Sequence, residues 1–302
     1  MRTDLTTIPR INRAARDWSR AYYSALASYG LGVTAALSTE LQHGDPSAAA
    51  GIAQRYPNGD PVLVNTPAVQ TNFSPTSLAY WRQVHLEMAQ IMTSAGVQPY
   101  LQFGEVQWWY FALLGVGMTF YDAYTTSVFQ ATYGRPMHVI LTNDADPALH
   151  PEEAVFLPQL IGDFTTAAAA FVSASVPSCK YEVLYPLDVN DFAFTRVINF
   201  APAWTASTLN TIKTESFGFT FSRNLDNAAR TIGRGELAGF PRDQSSFLVG
   251  VGDSFSSWQK EVEMAKAQNL ESIVLWALDQ YCLVGYATPL AGGLRRATDL
   301  GD

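Results

Sequence analysis

Short, almost wholly apolar runs alternate along this chain with longer stretches whose apolar residues recur at helical spacing. This alternation restricts the fold more than any other feature. The runs at 32–37, 97–103, 181–187, 216–221, 247–251 and 273–278 read as buried strands. Helical spacing marks 10–29, 77–95, 121–133, 152–176, 225–232 and 257–267, with Ser74 or Thr76 able to cap the second of these and Gly30, Gly96 and Gly134 placed as stops. Strands lacking a polar face need cover on both sides, which intervening helices provide in a parallel sheet.

The expected fold class is therefore α/β, a (β/α)8 TIM barrel forming a single domain over 1–302. A doubly wound sheet is the alternative, but neither GxGxxG nor GxxxxGK[ST] occurs, so no nucleotide cofactor is expected. A full barrel needs eight strands. Weaker strand candidates lie at 61–64, 137–141 and 197–200; either these complete the barrel or its first β/α units are missing or rebuilt. The Gly-, Pro- and Asn-rich excursion 43–75 directly follows a strand end and is expected to cover the C-terminal mouth, lining a cleft through Asn72 or Phe73.

Composition narrows the partners. A net charge of −8 with scattered cations repels a phosphate backbone, so nucleic acid is not an expected partner. Charged residues make up only 15% and aromatics 13%, which suits a neutral ligand such as a carbohydrate. The longest nearly uncharged apolar run, 106–121, is shorter than the ~20 residues of a membrane span, so no membrane association is expected, and the N-terminus has no signal-like apolar core. His43, His85, His138 and His150 show no metal-binding spacing, and no metal is expected. Cys179 and Cys282 are expected to remain unbonded to each other.

In a barrel, chemistry sits at the C-terminal strand ends. Five acids fall there: Glu40, Glu105, Asp188, Asp253 and Asp279. Glycoside hydrolysis needs two carboxyl groups flanking the scissile bond. Glu105 lies in LQFGEVQWWYF, where Trp108 and Trp109 would limit water, raise its pKa and supply stacking faces for a sugar. Trp276 and Tyr185 extend such a surface, and Asn72, Gln107, Asn190 and Asp188 supply hydrogen-bonding groups. The competing assignment is loop-capping acids beside core aromatics.

GVQPYLQFGEVQWWYF followed by FYDAYTTSVFQATYGRP resembles clan-A glycoside hydrolases of β-galactosidase-like layout. The resemblance implies that Glu105 is the fourth-strand acid/base, that Tyr133-Gly134 is the turn after the following helix, and that Trp276 is the aromatic floor near the last strand. It places Asp253 where the clan has its nucleophilic Glu, one methylene shorter, with Asp279 and Glu40 as further candidates. VNTPAVQTNFSP, LYPLDVND and SRNLDNAAR resemble TIM-barrel domains of phage proteins, including non-contractile tail sheaths. Two functions follow. One is a glycoside hydrolase acting on a neutral oligo- or polysaccharide. The other is a catalytically silent scaffold or carbohydrate-binding barrel within a larger, phage tail-like assembly.

Overall fold

The computed structural model describes residues 3–64, 67–250 and 255–279. They divide into two compact units, Met1–Val183 with Asn190–Trp204, and Leu184–Val189 with Thr205–Asp302.

The first unit opens with helix α1 (Arg13–Ser28), capped by Asn12, which accepts from the Ala15 amide. Strand β1 (Ala35–Ser38) follows and pairs in parallel with β5 (Tyr100–Gly104), which pairs in turn with β6 (Lys180–Pro186). Between β1 and β5, the excursion forms its own antiparallel sheet of β2 (Glu40–Gln42), β4 (Ala68–Gln70) and β3 (Leu63–Val64), in the order β2-β4-β3. Helix α2 (Pro75–Ser94) starts where expected because the Ser74 side chain accepts from the Ser77 amide and Pro75 fits the first turn. Helix α3 (Ala123–Tyr133) is capped by Asp122 and ends at Gly134 in the left-handed conformation. Helix α4 (Pro151–Ser173) is long and apolar enough to cross a membrane, but its buried face packs against α2 within the protein. Short helix α5 (Ala193–Ile198) completes the unit.

The hydrophobic core of this unit is built on β5 and β6, whose residues are almost all buried, with α2 packed against β5. His85 of α2 lies in this core, with ring centroids 4.8 Å from Phe103 and 5.9 Å from Tyr181. Its Nδ1 is buried without a hydrogen-bonding partner, and burial pulls its pKa down to about 3.

In the second unit, β7 (Thr211–Glu215), β8 (Ser245–Gly250) and β9 (Ser272–Trp276) pair in parallel in that order. Helices α6 (Phe217–Phe221), α7 (Leu225–Ile232), α8 (Arg234–Leu237) and α9 (Phe255–Lys266) lie between them in sequence. Ile232, Phe247, Val249, Trp258, Val262 and Ala265 form its core cluster.

Three strand expectations are corrected. Residues 216–221 form α6, and the strand is the preceding TIKTE, whose five residues are all buried despite their polarity. Residues 137–141 form no strand, and 197–200 include the end of α5. The weak candidate at 61–64 does yield β3, but in the antiparallel sheet rather than among the parallel strands. Cys179 is a free, half-buried thiol whose pKa burial pushes up to about 11; Cys282 lies outside the described residues.

Candidate functional site

The chain turns sharply at the end of β5. Glu105 has φ 47°, a left-handed backbone that a non-glycine residue adopts rarely and at some cost. Its carbonyl accepts from Thr39 Oγ1 at 3.0 Å and from the Gln107 amide at 3.0 Å. The side chain is half-buried. The turn sends the next residues into the protein.

Buried carboxamides then hold the following loop. Gln54 Nε2 and Gln70 Nε2 donate to the Gln107 carbonyl at 2.9 and 3.3 Å. Asn199 accepts from the Trp108 amide at 2.8 Å and donates to the Trp108 carbonyl at 3.0 Å, as a neighbouring strand would. Asn190 joins Gln107 Oε1 to Asn199 Nδ2 through bonds of 2.9 and 2.8 Å. Gln54 Oε1 accepts from the Trp109 amide at 2.8 Å. Backbone groups that a buried loop would otherwise leave unpaired are met by side chains.

This lattice decides where several expected ligand-binding residues sit. Trp108 is fully buried, its Nε1 donates to the Leu157 carbonyl at 3.1 Å, and its ring meets the edge of Phe73 at 4.7 Å. It has no exposed face to offer a sugar. Gln107 and Asn190 are buried and hold the loop, although Gln107 Nε2 has no partner. Asn72 and Phe73 are both buried. Asn72 donates to Asp122 at 2.8 Å and to the Gly51 carbonyl at 3.0 Å, while Phe73 packs on Phe164. The excursion does lie where β1 and β5 end, since Thr71 N donates to the Thr39 carbonyl at 3.1 Å.

Trp109 remains half-exposed and stacks on Tyr110 at 4.6 Å, beside the 51% exposed Phe111. Glu40, on β2 opposite Gln70, is half-buried, and burial raises its pKa. In the second unit, Tyr185 is buried. Asp188 Oδ2 accepts from the Gly218 amide at 2.6 Å; burial raises its pKa against the lowering effect of that bond. Trp276 and Asp279 are exposed there. Asp253 lies outside the described residues. Glu40 and Glu105 thus belong to the first unit, and Asp188 and Asp279 to the second.

One side-chain cluster has no counterpart in sequence spacing. His138, His150 and Glu153 bring potential metal-ligand atoms within 4.8 Å of one another. The Gly134-Arg135-Pro136 break and the Pro151 helix start fold the intervening segment back, which separations of 12 and 3 residues do not announce.

Parallel strands alternating in sequence with helices define a TIM-barrel-like α/β protein. Residues 3–286 match the non-contractile tail sheath protein TIM barrel, and the chain belongs to that family. Among solved structures, the chain is similar to the catalytic domain of β-amylase from Paenibacillus polymyxa, with TM-score 0.57 and 11% identity over 87% of this chain and 80% of that one. It is also similar to the β-galactosidase from Rahnella sp. R3, with TM-score 0.58 and 12% identity over 86% of this chain. It spans 42% of that enzyme. At such identity these likenesses establish fold alone. No curated protein matches the chain.

Proposed function

We propose that this chain is a catalytically silent scaffold barrel in a phage tail-like assembly, and that its glycosidase-like loop has become a structural brace. The observation that carries this reading is the burial of Trp108, Gln107 and Asn190, the groups that would otherwise stack on and hydrogen-bond a sugar beside Glu105. Family membership supports it. Exposed apolar side chains support it too. Phe111, Leu114, Val139 and Leu141 are 51%, 97%, 52% and 60% exposed, on segments joined by the Met118 amide bonding to the Ile140 carbonyl at 2.8 Å. A neighbouring subunit would cover such side chains.

The test has two arms. Purified protein is assayed on a panel of aryl glycosides and polysaccharides beside Glu105→Gln, and a Phe111→Ser/Leu114→Ser variant is assayed for incorporation into tail particles. The expected result is no turnover by either Glu105 form and impaired incorporation of the double variant as a folded protein. Turnover by wild type that Glu105→Gln abolishes would instead establish the glycoside hydrolase reading, with Glu105 as acid and Glu40, Asp253 or Asp279 as its partner.

A further inference from the structure

The connection between α3 and α4 carries two histidines that meet the first turn of α4. His138 Nδ1 lies 3.4 Å from Glu153 Oε1, and the His138 and His150 ring centroids are 5.6 Å apart. His150 Nδ1 is buried and has no hydrogen-bonding partner. Glu153 is fully buried, fixed by Arg135 at 2.8 and 3.1 Å and by the His138 amide at 2.9 Å.

We propose that His138, His150 and Glu153 form a binding site for a borderline transition-metal dication, with zinc as the representative ion. Two neutral imidazoles and one carboxylate are a donor set that zinc accepts, and water would complete a four-coordinate site. Zinc–nitrogen and zinc–oxygen bonds of about 2.0–2.2 Å place tetrahedral ligand atoms roughly 3.4 Å apart. The present spread of 4.8 Å must therefore close by about 1.4 Å, on the same bond lengths. His138 is 53% exposed, so its ring can rotate towards the pair without disturbing the core.

Charge also permits the ion. Arg135 is paired with both Glu152 and Glu153, so the cluster with neutral imidazoles carries one excess negative charge. When Glu153 turns a lone pair to the metal, Arg135 keeps Glu152. The partial positive charge at the start of α4 opposes the cation, and the second carboxylate offsets it. The unpartnered His150 Nδ1 gains the contact that burial now denies it. Bound metal would clip the α3–α4 connection to α4.

Calorimetric titration of the full chain with zinc chloride at neutral pH tests the proposal, with His138→Ala, His150→Ala and His43→Ala as variants. One ion should bind, both cluster variants should weaken it by at least ~10-fold, and His43→Ala should leave it unchanged. Cobalt(II) should give the visible spectrum of a tetrahedral or five-coordinate site in wild type and lose it in both cluster variants. Circular dichroism confirms that each variant is folded, and His138→Gln provides a milder second substitution at the exposed position. Absence of zinc binding, or binding that both cluster variants retain in full, overturns the assignment.

Discussion

His85 makes acid stability a direct probe of the core. Its pKa falls from an ordinary 6.5 to about 3 because the ring is wholly buried beside Phe103 and Tyr181. The folded protein therefore takes up no proton on His85 until about pH 3, whereas the unfolded chain takes one below about 6.5. Stability conferred by this group is complete above pH 6.5 and is lost as pH falls from there towards 3. The slope is at most ~1.4 kcal/mol per pH unit, so about 2.7 kcal/mol disappears by pH 4.5. For a chain of this size, that corresponds to roughly 4 °C in melting temperature. His85→Phe keeps a ring in the stack and removes the titration. Denaturant melts of both proteins at pH 7.0, 5.5 and 4.5 isolate the effect, because carboxylates shared by both cancel in the difference. The variant should lose ~2.7 kcal/mol less than wild type between pH 7.0 and 4.5, whatever its absolute stability. Parallel pH profiles would refute the assignment of a neutral, buried His85.

Trp108→Ala should cost ~3–5 kcal/mol in urea unfolding, since it empties a fully buried site and removes the indole bond to the Leu157 carbonyl. Asp122→Ala should cost ~1–2 kcal/mol in the same assay, because Asp122 caps α3 through Thr125 and also anchors Asn72. Glu261 is buried on α9 with a Thr220 hydroxyl at 2.9 Å, and burial raises its pKa from 4.5 to about 7. Its folded form holds the proton more tightly than the unfolded chain, so stability is greatest below pH 4.5 and is lost as pH rises towards 7. Glu261→Gln should flatten that loss, of order 3 kcal/mol, in melts between pH 4.5 and 8; an unchanged slope would count against it.

The parallel strands were legible where burial on both sides leaves no polar face. YLQFG, KYEVLYP and SSFLVG each contain an apolar run, and each lies within a few residues of its expected position. TIKTE escaped because Thr, Lys and Glu read as surface, while the apolar FGFTF beside it imitated a strand. Lys213 and Glu215 are buried there, a tertiary outcome that local pattern cannot carry. Helix limits were legible through Ser74 and Gly134, because a cap is a local interaction. The turn at Glu105 was marked only as a lone acid in apolar surroundings. Its supporting amides were invisible, since Gln54, Gln70 and Asn199 are types usually solvated and lie up to 91 residues from their partners. The two histidines beside Glu153 were hidden because separations of 12 and 3 residues match no metal-binding spacing.

The carboxamide lattice around residues 107–109 fixes how that end of the first unit can meet anything else. Freeing the loop would break seven bonds, including both to the Trp108 backbone and the one from its indole. At about 1 kcal/mol each, opening requires roughly 7 kcal/mol before Trp108 is hydrated, so fewer than about one molecule in 10⁵ is open at any instant. At that occupancy the closed loop is the form almost every molecule presents. Whatever docks here meets a surface already in its final shape, and recognition proceeds by rigid fit, with little ordering entropy to lose on this side of the contact.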